Sequence, residues 1–347
     1  MIVELLAFVY DDRIQFHNVA QLHDDGDDGR LLQRVPEHVR TELNTGAQRR
    51  MRHPAGTELR FVPKEPVEVT LSVDPQEPAR TSLVRVFWGP IQGYTTVEIG
   101  PEPTTIAVSP PQKIQQLDDD AIQALDYHPR VCRLLLPGEH RGGHVRYHGS
   151  RGDRRPPTDN ELPEIRYLAY GTSITEGEAP AAEMLTYVNQ TARRIGADPI
   201  NLGSCGTAYC DRAMAEHIAA RDDWDVATLS LSINMVGTFT VDEFRERAAA
   251  MIETIGSANP DCQIAPITIF PNARDVCVDH EEAELCEQFR EALRSVVDAS
   301  NHENVTLIEG PDLLDDIGGL TTDLVHPGDD AMIRIGESLA DELDTLL

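Results

Sequence analysis

From about residue 165 onward, five short apolar runs alternate with five segments of helical periodicity, and no other feature of the 347-residue chain limits its fold so strongly. The runs fall at 166–170, 198–203, 226–232, 263–270 and 305–309, and the helical patterns at about 183–195, 211–221, 241–257, 281–299 and 329–346. In VDEFRERAAAMIETIG, Val241, Phe244, Ala248, Met251, Ile252 and Ile255 share one face, and Asp242 is an acidic first-turn residue suited to the helix dipole. Apolar strands separated by helices are what a parallel sheet covered on both faces requires. Five βα units predict a flavodoxin-like, doubly wound α/β domain with a five-stranded parallel sheet, whose chemistry gathers outside the carboxyl ends of the strands.

The first 147 residues follow a different rhythm. VELLAFVY, ELRFVP, VEVTLSV, LVRVFWG, TTVEIG, TTIAVS, VCRLLLP and HVRYHG alternate apolar and polar positions between turns rich in Pro and Gly. This is the pattern of antiparallel strands in an all-β, jelly-roll-like sandwich. One helical segment, PEHVRTELNTGAQRRM, interrupts it and is too short to be a domain. The polar, Pro-rich stretch SRGDRRPPTDNELPEI, at about 149 to 164, marks the boundary, giving domains of 1–155 and 156–347.

The runs of the second half end in residue types that acyl transfer needs. GTSIT follows the first, NLGSCGTA the second and LSLSINMVG the third, and TTDLVHPGDDAM precedes the last helix. A serine hydroxyl such as that of Ser173 needs a base to take its proton, and His326 is a candidate. An imidazole needs a carboxylate to hold its tautomer, and Asp323 lies three residues before it. A developing oxyanion needs fixed donors, which a glycine amide in a tight turn and an Asn carboxamide supply. Each residue also has a plainer reading: Ser, Thr and Gly populate any turn that leaves a strand, and Asn234 can cap the segment after it.

Composition narrows the partners. Asp and Glu number 59 against 30 Lys and Arg, a formal charge of -29, and Lys occurs only at Lys64 and Lys113. That balance excludes nucleic acid and anionic membranes, both of which need a basic face. It matches proteins that work in molar salt, where screening removes the self-repulsion, and predicts a halophilic, haloarchaeal source. The six cysteines show no regular framework and read as reduced, mostly buried thiols; Cys277, His280 and Cys286 match no usual zinc spacing. The start, MIVELLAFVYDDR, lacks a basic region and a long apolar core, so it reads as a strand and the protein as cytoplasmic. Gly-x-Ser-x-Gly, Walker, dinucleotide and zinc-protease signatures are absent, and no cofactor is implied.

Taken in order, YGTSITEG, NLGSCG, SINMVG and DLVHPGD resemble the four blocks of the SGNH, or GDSL-like, hydrolase superfamily. The resemblance implies Ser173 as nucleophile, His326 as general base and acid, and Asp323 as its orienting partner. It implies an oxyanion hole made by the amides of Ser173 and Gly206 and the side chain of Asn234, with Gly203 the competitor for the glycine position. Two departures stand out: Gly-Thr-Ser replaces Gly-Asp-Ser, and Ser-Ile-Asn replaces the commoner Gly-x-Asn, which puts a Cβ at Ser232 beside the oxyanion site. LTYV at 185–188, VRVFWGP at 84–90 and PEPTTI at 101–106 are similar to a subgroup with an amino-terminal β-sandwich that includes carbohydrate esterases and an acyltransferase. The implied activity is hydrolysis of a small acyl ester, an acetyl group on a carbohydrate. The alternatives are acyl transfer by the same triad and a non-catalytic carbohydrate-binding protein.

Overall fold

The computed structural model describes residues 11–75, 81–138 and 143–347; the expected strand VELLAFVY lies outside them. The chain divides into two compact units. The first comprises the described residues up to Glu37, Arg52–Pro137 and the described residues on to Leu162; the second comprises His38–Met51, Gly138 and Pro163–Leu347. The changeover between Leu162 and Pro163 falls within the polar stretch that marked the boundary in the sequence. The helical segment 38–51, read from sequence as an insert in the sandwich half, groups with the second unit.

The described strands of the first unit are β1 (Gln15–His17), β2 (Gln21–His23), β3 (Arg30–Gln33), β4 (Glu58–Pro63), β5 (Val67–Val73), β6 (Ser82–Trp88), β7 (Ile91–Ile99), β8 (Thr104–Val108), β9 (Cys132–Leu135), β10 (Val145–Arg151) and β11 (Arg154–Arg155). They form two antiparallel sheets, β1-β4-β9-β6-β7 with β11 beside β4, and β2-β3-β10-β5-β8. Every second residue points inward: Val67, Val69, Leu71 and Val73 of β5 and Val84, Val86 and Trp88 of β6 join one core with Phe61, Leu134 and Tyr147. The face of β4 and β9 turned away from this core carries a buried carboxylate. Glu58 accepts from Arg60 Nε and Arg133 Nε, both at 2.7 Å, and the Arg133 guanidinium lies 4.1 Å over the Tyr127 ring. Burial pushes the Glu58 carboxyl up, but the Arg133 and Arg60 charges outweigh it and hold the group down at about 2.

The second unit begins with α1 (Thr45–Arg50), whose first turn is capped by Asn44 Oδ1 accepting from Ala47 N at 3.0 Å. It continues as β12 (Ile165–Tyr170), α2 (Ser173–Glu176), α3 (Tyr187–Arg194), β13 (Ala197–Asn201), α4 (Arg212–Ala219), β14 (Val226–Ser230), α5 (Val241–Ala258), β15 (Gln263–Ile267), α6 (Ala283–Asp298) and α7 (Asp329–Asp344). The strands pair in parallel in the order β13-β12-β14-β15, the doubly wound order expected. All five residues of β14 are buried, as a strand covered on both faces must be. α3 packs with α7, and α5 with α4 and α6.

The sheet has four strands rather than five. The run at 305–309 pairs with β15 only through isolated bridges, Ile264 with Val305 and Ile267 with Ile308. The reason is Pro266. The amides of Ile264 and Thr268 donate to the carbonyls of Asn304 and Ile308, but the proline between them has no N–H to give, so the ladder is broken at its centre. No helix among the described residues is long and apolar enough to cross a membrane.

Candidate active site

Gly171 links the end of β12 to α2, and only glycine fits: a Cβ would lie 2.9 Å from the Ser230 carbonyl oxygen. Thr172 is the N-cap and Ser173 the first residue of a one-turn helix that ends at Gly177, in the left-handed region at φ +101°. The hydroxyl is thus presented at the carboxyl end of the first strand. Its Oγ stands 2.8 Å from Nε2 of His326, although 153 residues separate the two.

His326 lies just before α7 in a loop tied by several backbone bonds. Thr321 N donates to His326 O at 2.8 Å, Leu324 N to Thr321 O at 2.9 Å and Gly328 N to Gly319 O at 2.8 Å. The other ring nitrogen, Nδ1, meets Asp323 Oδ2 at 2.6 Å. Asp323 Oδ1 accepts from Thr321 Oγ1 and Val325 N at 2.8 Å and from His326 N at 3.0 Å. Burial works against the charged form, but these donors together hold the Asp323 carboxyl well below the usual carboxylate range. The carboxylate is therefore ionised at any neutral pH, able to keep a proton on Nδ1 and leave Nε2 free to accept one.

The loop after β13 approaches this pair from a second side. Ser204 N donates to Gly171 O at 2.8 Å and Cys205 N to Glu176 Oε2 at 2.6 Å, which ties it to the Ser173 turn. The two candidate glycines differ in what they do. The Gly203 amide is engaged by Asn201 Oδ1 at 2.8 Å, and a Cβ there would come within 2.2 Å of Glu176 N, so Gly203 serves close packing. Gly206 sits at φ +67° with open space around it. Asn234 uses Oδ1 to accept from Ala208 N at 3.3 Å, which leaves its Nδ2 as a donor. Among the described residues, neither the amides of Ser173 and Gly206 nor Asn234 Nδ2 donates to another protein group.

Sequence reasoning passed over Glu178, Glu176 and Thr321. Glu178 Oε2 lies 3.7 Å from His326 Nε2 and accepts from Cys205 Sγ at 2.9 Å. Nothing in the spacing of Glu178 marks it, because its partners Cys205 and His326 are about 27 and 148 positions away. The Thr-x-Asp spacing of Thr321 and Asp323 was the one local sign available. All six cysteines are free, and burial with the Glu176 and Glu178 carboxylates pushes the Cys205 thiol up, so it stays protonated and unreactive. No group of three or more His, Cys, Asp or Glu able to hold a metal occurs among the described residues.

A hydroxyl, imidazole and carboxylate in line are equipment suited to acyl transfer. A model of the GDSL-like lipase/acylhydrolase family matches residues 165–344, just over half of the chain and all four blocks. The chain belongs to this family. No curated protein matches the sequence. Among solved structures, the salicylyl-acyltransferase SsfX3 of a tetracycline biosynthetic pathway is similar at TM-score 0.76 and 17% identity, covering 97% of this chain and 96% of that one. A family two carbohydrate esterase from Cellvibrio japonicus follows at 0.60 and 13%, covering 97% and 96%. The acetyl xylan esterase Est2A of the rumen bacterium Butyrivibrio proteoclasticus follows at 0.57 and 12%, covering 96% and 95%. At these identities the likeness is one of fold, and it runs through both halves of the chain. As a GDSL-like acylhydrolase the protein is an enzyme of the SGNH hydrolase type.

Proposed function

We propose that the protein is a serine esterase removing small acyl groups, acetyl above all, from a carbohydrate ester. The reading is carried by the relay of 2.8 and 2.6 Å through His326, from Ser173 to Asp323. Ser173 Oγ attacks the ester carbonyl carbon as its proton passes to His326 Nε2. The carbonyl oxygen, now an oxyanion, takes hydrogen bonds from the amides of Ser173 and Gly206 and from Asn234 Nδ2. Collapse breaks the bond to the alcohol, which leaves with the proton from Nε2. Water then gives a proton to Nε2 while its oxygen attacks the acyl-enzyme, and the acid departs as Ser173 recovers its hydrogen.

The small acyl group is supported by a cavity lined by Ile174, Ile233, Val325 and Phe270 with room for about one water-sized group. The carbohydrate part rests on fold likeness to carbohydrate esterases. In this reading residues 1–155 form a sandwich domain, 156–347 the hydrolase domain, and the acidic surface suits a haloarchaeal cytoplasm. Likeness over nearly the full length to an acyltransferase favours a second reading, in which an alcohol rather than water takes the acyl group. Product analysis with added alcohol separates the two.

The test is intact mass and peptide mapping after a fluorophosphonate in high salt. A single adduct on Ser173, lost in His326→Ala, is expected. No adduct on folded protein would overturn the esterase and leave the carbohydrate-binding reading.

A further inference from the structure

The segment 38–51 reaches the loop that carries Gly206. Asn44 Nδ2 donates to Thr207 O at 2.9 Å and to Asp211 Oδ2 at 2.6 Å, and a Cβ on Gly46 would come within 2.2 Å of Thr207 Cγ2. At the other end of α1, Arg50 Nε donates to Cys205 O at 3.0 Å. That oxygen belongs to the same peptide group as the Gly206 N–H. A peptide group is planar and trans, so its C=O and N–H point in opposite directions, and a donor fixed on one end sets where the other end points.

The neighbouring peptides are held by other bonds, Cys205 N by Glu176 Oε2 at 2.6 Å and Thr207 N by Ser204 O at 3.1 Å. The Cys205–Gly206 peptide is not held that way. No residue other than Arg50 donates to Cys205 O among the described residues, and a Cβ on Gly206 would meet no other residue within 4 Å. A guanidinium on the oxygen also polarises the peptide, which makes the N–H at its far end a stronger donor.

We propose that Arg50 is a positioning residue for the oxyanion hole: by gripping the Cys205 carbonyl it keeps the Gly206 amide turned toward the oxygen of the reacting ester and strengthens it as a donor. The proposal rests on the esterase reading above. It also gives the helical segment 38–51 a task, although that segment lies outside residues 165–344, where the family match falls.

Removing a whole oxyanion donor costs on the order of a hundredfold to a thousandfold in kcat, and a misaimed donor costs part of that. Arg50→Met is expected to lower kcat on a short-chain aryl acetate by roughly ten- to a hundredfold with KM within about twofold, and to slow phosphonylation of Ser173 by a similar factor. Arg50→Lys, which restores a charged donor, is expected to recover most of the loss. A merely structural Arg50 would show instead as a lower melting temperature with kcat intact. Folded Arg50→Met with wild-type kcat overturns the proposal. Should that variant not fold, a crystal structure of the phosphonylated wild-type protein decides: Gly206 N bonded to the phosphonyl oxygen with Arg50 on Cys205 O supports it, and a Cys205–Gly206 peptide turned the other way overturns it. Retained turnover in Ser173→Ala would sink the esterase reading itself, so the two failures are told apart.

Discussion

The Glu178 carboxylate stands 3.7 Å from Nε2 of His326, the nitrogen that also faces Ser173 Oγ. With Asp323 on Nδ1, the imidazole lies between two carboxylates. Unit charges about 4 Å apart repel by roughly 1 kcal/mol in water and about 4 kcal/mol at the effective dielectric near a protein surface. On the proposed esterase reading, an ester carrying its own carboxylate near the scissile bond should be disfavoured. Glu178→Gln is expected to raise kcat/KM for an aryl succinate relative to an aryl acetate by about tenfold in low salt, and by less in molar salt. A ratio unmoved at both salt concentrations would remove Glu178 from substrate selection.

Ser232 occupies the place where relatives of the family more commonly have glycine, and its backbone shows why. It is buried with φ +87°, in the left-handed region, and its hydroxyl donates to the Leu231 carbonyl. A non-glycine residue held there costs on the order of 1 kcal/mol, which glycine relieves in part because it loses more freedom on folding. Ser232→Gly should raise the melting temperature by roughly 2 °C and Ser232→Val should lower it, in thermal scans at constant salt. A drop for the glycine variant would mean that the Leu231 hydrogen bond outweighs the backbone cost.

The period-2 strands from Glu58 to Trp88 and the helices from α4 to α7 were legible because burial on one face writes a period into the sequence. The triad candidates were legible for a different reason: Ser173 sits in a short block at a strand end and Asp323 and His326 in one just before α7, and the fold brings the blocks together. What stayed hidden depends on contacts between distant positions. Pro266 read as one apolar residue in a run, and only the ladder beside it shows the bond it deletes. Arg50 and Glu178 carried no signal in the sequence, because only the fold sets them against Cys205 and His326. Strands β1, β2 and β3 are three or four residues long, too short to display a period.

Glu58, buried between Arg60 and Arg133 on the face of β4 turned away from the sandwich core, makes stability depend on pH. Its folded pKa of about 2 lies below the ordinary glutamate value, so its contribution is fully present above about pH 4.5 and is lost as the pH falls through 2. A shift of that size corresponds to about 3 kcal/mol, an order of magnitude for so closely paired a group. Glu58→Gln leaves Arg60 and Arg133 buried without their carboxylate and should cost roughly 3 kcal/mol at pH 7. The gap between wild type and variant in urea unfolding should shrink as the pH is lowered from 5 to 2. A gap that is constant with pH would show that the pair acts through packing rather than charge.

Ile174, Ile233 and Val325 each adjoin one of the proposed site residues in the chain, Ser173, Asn234 and His326, and all three line the same small cavity with Ile269 and Phe270. A space for one water-sized group admits an acetyl methyl and nothing longer without displacement of a wall. If this is where the acyl chain goes, each added methylene is penalised by roughly 1 to 3 kcal/mol, and kcat/KM should fall steeply from acetate to butyrate. Ile233→Ala opens the wall on the Asn234 side without touching a proposed catalytic group. It should raise the butyrate-to-acetate ratio of kcat/KM by about tenfold or more, chiefly through the butyrate value. A ratio equal to wild type in a folded variant would place the acyl chain elsewhere and remove this cavity as the basis for a preference for acetyl esters.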